Sequence, residues 1–407
     1  MCYSVAYMTE VVSTDAKKIE ELLTRGVSEV LVKESLRAKL LSGKRLRIKL
    51  GIDPTSPDLH IGRAVPLLKL RDFQELGHQI IFLVGDFTAV IGDTSDKDAE
   101  RPMLAREVIE ANKQTYFAQA GKILDLSKVE TVYNSQWLEK LTYREIGEHA
   151  DVFSVADFIA RENIAKRLSA GKRVSLREVL YPLMQGYDSV AIKADVELGG
   201  TDQKFNVLAG RPLQEKYGQP PQDIVLNPLI DGLDGTKMSS SRGNYISLTA
   251  TPSDMYGKVM SMGDAQIGTY FEVCTRVPME EVAAIKTGLM DNALHPKEAK
   301  MRLAREIVSL YHSTEDAQKA EDDWQKTFSE GGVPEDIQEV VVSPETSLIE
   351  TLASLGESNS ELRRLIDAGA VKEVGGENHI FKDPKTPLTK GMTLRIGKHR
   401  FLKVLVK

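Results

Sequence analysis

The chain has 407 residues, a formal net charge of −6, 42% hydrophobic and 28% charged residues, proportions of a soluble globular protein too long for one core, so two or three domains are expected. No apolar run approaches the roughly 18 residues of a membrane span, and the opening MCYSVAYMTEVVS lacks the basic and apolar regions of a secretory signal. Two cysteines, one in an expected tail, and seven scattered histidines argue against a disulfide framework and a structural zinc site, and the expected compartment is a reducing cytoplasm.

RLRIKLGID (45–53) places apolar residues at alternate positions and reads as a strand. IGRAVPLLKLRDFQEL (61–76) has helical periodicity and stops at Gly77. HQIIFLVGDF (78–87) reads as a buried strand, which completes a βαβ unit. Helical pattern then runs from Ala99 to about Leu124, followed by a short strand VETVYN (129–134) and a helix containing YPLMQGYDSV (181–190). DVELGG (195–200) reads as a strand ending in two glycines, DQKFNVLAGRPLQEKYG (202–218) as the next helix and DIVLNPLI (223–230) as one more strand. The alternation predicts an α/β fold with a doubly wound, mostly parallel sheet.

From about Thr251 to Glu330 the strand signals fade into successive helices, and SEGGVPEDIQE (329–339) is punctuated like a linker. The last segment reads as a small α+β unit, with SNSELRRLIDAGA as a helix and VKEV, HIF and TLRIGKHRFLKVLV as strands. Residues 346–407 carry 11 Lys and Arg against 7 Asp and Glu, whereas the rest of the chain carries 42 against 52. A basic end on an acidic body fits a polyanion partner or an ordinary solvated surface equally well.

Three stretches carry chemistry. GIDPTSPDLHIGRA (51–64) lies where a strand gives way to a helix, an edge where unpaired N–H groups and the helix dipole suit phosphates. His60 there serves as a plain cap or as a ligand-binding group, and Gly62 permits close approach. DGTKMSSSRGN (234–244) is a Gly/Ser-rich loop with two cations, Lys237 and Arg242, suited to clamping phosphates or to an ordinary polar surface. Tyr181, Gln185 and Asp188 fall at i, i+4 and i+7, one face of a helix, and a polar row is unexpected for a core stripe. Neither a P-loop nor a dinucleotide fingerprint is present.

Taken together, the first two stretches resemble the HIGH and KMSKS signatures of class I aminoacyl-tRNA synthetases, in order and on the right elements. YPLMQGYD with ELGGTDQKFN resembles the amino-acid and ribose pocket of tyrosyl-tRNA synthetases, and LVGDFTAVIGDTSDKDAER (83–101) resembles their ammonium site and mobile loop. SNSELRRLIDAGAVKEVGG resembles the S4-type RNA-binding fold of bacterial members. The resemblance spans about Lys17 to Lys407 and implies the bacterial tyrosyl type.

It implies a Rossmann-like catalytic domain (1–245) with a dimer-interface insertion near 126–190, a helical anticodon-stem domain (246–330), a linker (331–342) and an S4-like RNA-binding domain (343–407). It implies L-tyrosine, ATP with Mg2+ and tRNA as substrates, no tightly held protein metal, and a homodimer with contacts from about Ser135 to Phe158. Thr55 and His60 would hold the ATP phosphates, and Lys97, Arg101 and Lys237 would clamp pyrophosphate. Asp53, Gly62, Arg63, Gly200, Asp202 and Ser240 would serve ATP as well. Asp93, Tyr181 and Gln185 would bind the tyrosine ammonium, Gln203 the carboxylate and Asp188 the phenolic hydroxyl. Arg363, Arg364, Lys372, Lys382, Lys398 and Arg400 would meet RNA phosphates.

Three positions depart from the pattern. Arg63 stands where the first motif ends in histidine, so it trades a ribose contact for a phosphate contact or points away. Ser240 stands at the second lysine of the other motif, and Lys49 where many relatives carry a tyrosine that helps hold the substrate hydroxyl. The rival readings are a tryptophanyl-tRNA synthetase, a small nucleotidyltransferase and a synthetase-derived non-catalytic RNA-binding protein.

Overall fold

The computed structural model describes residues 11–94, 103–238, 243–329, 337–353, 355, 359–374, 379–388, 391–397 and 400–407. The chain forms two compact units, the first from residues up to Thr249 together with Gly268–Ala284, the second from Ala250–Ile267 together with Ile285–Lys407.

The first unit is built on a six-stranded sheet of β1 (Glu29–Leu31), β2 (Arg47–Ile52), β3 (Gln79–Val84), β4 (Val129–Tyr133), β5 (Val196–Gly200) and β6 (Asp223–Asn227), in the order β1-β6-β5-β2-β3-β4. All pairings are parallel except the edge pair of β1 with β6. The doubly wound reading therefore holds, with a short antiparallel edge strand that its sequence did not announce. Strand order reverses between β2 and β5, and a crevice at the carboxyl ends of such a pair is where this architecture takes ligands.

Most strand residues are buried, with Ile80 to Val84 and all of β6 shielded from solvent. Lys49 of β2 and Glu197 of β5 are buried too, and they are register partners across the switch point.

The helix Ile61–Glu75 begins at His60, whose Nδ1 accepts from the Arg63 N–H at 3.3 Å. It ends at Gly77, which takes the left-handed conformation (φ +89°). The helix Leu176–Ile192 opens with a Ser175–Glu178 capping box. Pro182 inside it has no N–H for the Glu178 carbonyl, and Arg161 supplies the missing donor at 3.2 Å. Gly186 lets this helix settle on the next segment, since a Cβ there would lie 2.8 Å from the Ala209 carbonyl oxygen. The helix expected over 202–218 is broken into a turn Thr201–Gln203 and the helices Lys204–Leu208 and Gly210–Lys216, because Pro212 cannot donate to the Leu208 carbonyl. The helical pattern read from Ala99 is a described helix over Arg106–Ala120.

In the second unit the helix Pro252–Ser261 packs on Pro296–Tyr311 and Thr314–Ser329, with Tyr256 and Trp324 rings 6.2 Å apart. A second sheet orders β7 (Gln338–Val342), β8 (Val371–Val374), β9 (Ile380–Phe381), β10 (Met392–Ile396) and β11 (Arg400–Val406) as β7-β11-β10-β8-β9. Residues 338–342, read as linker, are thus a strand running parallel to β11. Leu348, Leu352, Leu362, Ile366, Leu394 and Leu402 form the core beside this sheet.

Candidate active site

The carboxyl ends of β2 and β5, the 53–63 segment and one face of the 176–192 helix line a cavity of about 580 Å³. Of the residues singled out from sequence, Asp53, Thr55, His60, Gly62, Arg63, Asp93, Tyr181, Gln185, Asp188, Gly200, Asp202, Gln203 and Lys237 all line it. Lys97, Arg101, Ser240 and Lys398 lie outside the described residues.

The polar row of the 176–192 helix faces this cavity. The Tyr181 hydroxyl donates to Asp53 Oδ2 at 2.8 Å, and burial together with the Asp53 charge raises the phenol well above its ordinary range. Asp53 Oδ1 accepts from Thr88 Oγ1 at 2.7 Å. Gly85 makes room for that pair, since a Cβ there would lie 2.0 Å from Asp53 Oδ1. Asp53 lines the same cavity as Gly200 and Asp202, and its carboxylate is joined to the 176–192 helix through Tyr181.

At the other end of the row, Asp188 Oδ1 accepts from Trp137 Nε1 at 2.7 Å and Oδ2 from Asn134 Nδ2 at 3.3 Å. Burial pushes its carboxyl up to about 7, against the Lys49 charge and these two donors, which pull it down. A carboxylate has about four lone-pair sites, so capacity remains for a hydroxyl donor.

Asp93, Asp202, Gln203 and Asn206 form a separate cluster. Gln203 Nε2 donates to Asp93 Oδ2 at 2.8 Å and to Asp202 Oδ2 at 3.3 Å, while Asn206 donates to Gln203 Oε1 at 3.0 Å. Gln203 thus ties the two carboxylates of Asp93 and Asp202 together.

His60 is both a cap and a cavity-lining group. Its Nδ1 accepts from the Arg63 N–H, which puts the neutral ring's proton on Nε2. Burial, with the Arg63 charge, lowers its pKa to about 4, so near neutrality it is an uncharged donor. Arg63 lines the cavity while its Nη1 donates to Tyr116 Oη at 3.0 Å, so it does not point away. The Arg106–Ala120 helix grips the 53–63 segment with further side chains. Asn112 donates to Pro54 O at 3.0 Å, Gln119 donates to Pro57 O at 2.9 Å, and Gln119 Oε1 accepts from the Leu59 N–H at 2.7 Å. Lys237 lies at the start of the second motif, in a loop whose Asp234 accepts from Thr236 and Asn244.

Sequence reasoning missed Thr88, Asn134, Trp137, Tyr116, Gln119 and Glu197. One signal was present: Lys49 and Glu197 are opposite charges inside otherwise apolar strand runs, and a strand interior tolerates a charge only with its counter-charge.

Residues 41–329 match the family described as tRNA synthetases class I (W and Y). A tyrosine–tRNA ligase of Moorella thermoacetica is 47% identical over 391 residues, covering 94% of each chain. One of Carboxydothermus hydrogenoformans is 45% identical, covering 96% of this chain and 98% of the other.

The chain belongs to the tyrosyl-tRNA synthetase family.

It is an aminoacyl-tRNA synthetase with the class I fold. A tyrosyl-tRNA synthetase of Archaeoglobus fulgidus, solved with L-tyrosine, superposes with a TM-score of 0.60 at 24% identity over 75% of this chain and 99% of its own. A truncated mitochondrial one of Aspergillus nidulans gives 0.64 at 22% identity over 76% and 94%. Among the described residues, no group of three or more His, Cys, Asp or Glu could hold a metal, and no helix is long and apolar enough to cross a membrane.

Proposed function

We propose that this synthetase activates L-tyrosine with MgATP and transfers it to the 3′-terminal ribose of tRNA(Tyr), in the cytoplasm. The observation that carries the reading is the Tyr181–Gln185–Asp188 row along one cavity wall, with a buried carboxylate at the far end that accepts from Trp137 and has lone pairs left for a hydroxyl donor. The relatives named above are tyrosine–tRNA ligases, which sets aside the tryptophan alternative.

The first step needs no general base, because an amino-acid carboxylate, with a pKa near ~3.5, is ionised at neutral pH. Its oxygen attacks the α-phosphorus of ATP, the bond to the bridging oxygen breaks, and pyrophosphate leaves with both bond electrons. Catalysis is then alignment plus stabilisation of phosphate charge. Thr55, His60 and Arg63 hold the triphosphate, with His60 Nε2–H as a neutral donor. Lys237, Lys97 and Arg101 take the leaving pyrophosphate, beside Ser240 in the second motif. Gly62, Gly200 and Asp202 seat the adenosine. Asp93, Tyr181, Gln185 and Gln203 hold the amino-acid head group, and Asp188 its phenol. Magnesium arrives with ATP as part of the substrate.

In the second step the ribose hydroxyl attacks the mixed-anhydride carbonyl and AMP leaves. RNA is held by the basic C-terminal residues. Arg363, Arg364 and Lys382 are exposed, while Lys372 and Arg400 are half-buried. Residues 343–407 serve as the S4-like RNA-binding domain and 246–330 as the anticodon-stem domain. A homodimer, joined through about 135–158 within the 126–190 insertion, presents two such sites. Tyrosine-dependent ATP–pyrophosphate exchange tests the reading, with tryptophan and phenylalanine as controls.

A further inference from the structure

Lys49 and Glu197 face each other across the β2–β5 pairing with Nζ to Oε1 at 2.9 Å, and their side chains are 0% and 1% exposed. An ammonium has three N–H donors and no acceptor. Those of Lys49 go to Gln185 O at 3.0 Å, Ser189 Oγ at 2.9 Å and Glu197 Oε1. None is left for a substrate hydroxyl, although Lys49 lines the cavity.

Glu197 is equally committed. Its Oε1 also accepts from Gln185 Nε2 at 3.1 Å, and its Oε2 from Ser189 Oγ at 3.0 Å and from Gln222 Nε2. A carboxylate can only accept, so it fixes which end of the Gln185 amide is which. The amide nitrogen must face Glu197, and the amide oxygen, an acceptor, is the atom left for the cavity that Gln185 lines. An acceptor is what an ammonium group requires.

We propose that Lys49 and Glu197 are a positioning pair for the amino-acid pocket: Glu197 turns the Gln185 amide so that its oxygen meets the substrate ammonium, and Lys49 acts on Asp188 by charge without touching substrate. This rests on the tyrosine-activation reading. The groups facing Asp188 are Lys49 from β2, Glu197 from β5, Asn134 and Trp137 after β4, and Tyr181 on its own helix, with Asp53 beyond that hydroxyl. Lys49 draws the Asp188 carboxyl down and Glu197 pushes it up, so the two partners have opposite effects on when that carboxylate is ionised.

The test is exchange kinetics across the neutral pH range on full-length protein. Lys49→Met moves the acid limb of kcat/KM for tyrosine to higher pH by about one unit, and Glu197→Gln moves it to lower pH by a similar amount. A single variant can fail to fold, because it strands a buried charge. Two neutral double variants then decide. Lys49→Met/Glu197→Gln retains an acceptor for the Gln185 amide and keeps KM for tyrosine near the wild-type value. Lys49→Met/Glu197→Leu removes it and raises that KM by about tenfold, leaving KM for ATP unchanged. Limbs that stay put or move together, or doubles with the same KM for tyrosine, overturn the proposal. A wild-type protein with no tyrosine-dependent exchange defeats the functional reading instead.

Discussion

The Tyr181 hydroxyl donates to Asp53 at 2.8 Å, and through that bond two residues of one helix are joined by a polar circuit that leaves the helix and returns to it. Asp53 accepts from Thr88, Thr88 accepts from Asn134 at 2.9 Å, and Asn134 reaches Asp188. The two ends of the pocket are therefore held in one network, where loss of a member leaves its neighbour buried and short of a partner. Tyr181→Phe is expected to raise KM for tyrosine by roughly tenfold. Because it also releases Asp53, KM for ATP rises by a smaller factor, and steady-state exchange kinetics measure both.

On the proposed function, Asp188 is the residue that decides between tyrosine and phenylalanine. Phenylalanine would leave the buried carboxylate short of one donor, a cost that falls on the wrong substrate alone. Asp188→Ala should lower the preference for tyrosine in kcat/KM by about tenfold or more. An undiminished preference in that variant would refute the assignment.

The same carboxyl predicts a pH dependence. Its pKa is raised to about 7, so it is protonated below that pH and ionised above it. A hydroxyl donor favours the ionised form, so tyrosine affinity rises as pH climbs through about 7, and binding there releases a proton. Preference over phenylalanine narrows as pH falls through the same window. Calorimetric titration in buffers of different ionisation enthalpy measures the proton release.

The grip of the 106–120 helix on the 53–63 segment gives a prediction at a distance from the 181–188 row. Gln119 is 2% exposed and makes hydrogen bonds to both Pro57 and Leu59. Gln119→Ala loosens Thr55 and His60, and each lost bond is worth about 1 kcal/mol. The exchange rate should fall roughly tenfold with KM for tyrosine unchanged.

Much of this was legible beforehand. The βαβ unit and the long strands carried strong periodicity because one or both faces are buried, and the 181–188 row was visible because helical spacing places those residues together. What stayed hidden was set by contacts between distant segments. Trp137 and Asn134 reach Asp188 from more than 50 positions away, and nothing local in NSQWLEK marks them. The strand at 338–342 looked like linker because β-structure there depends on pairing with β11, at the far end of the chain. The break in the 202–218 helix was readable from Pro212.

That strand also fixes where the chain is best cut. The C-terminal core draws on Val342 and on residues as far as Val404, so a cut after Val341 leaves most of β7 attached without its partner. Truncation after Ser329 is expected to leave tyrosine activation intact and to abolish charging of tRNA. A filter-binding assay of charging alongside exchange separates the two, and undiminished charging would remove the RNA role of this segment.

The most direct measurement is ATP–pyrophosphate exchange by the purified full-length chain with tyrosine, tryptophan or phenylalanine as the only amino acid. The account predicts robust exchange with tyrosine and little with the other two. Exchange driven by tryptophan, or none with any of the three, would contradict it.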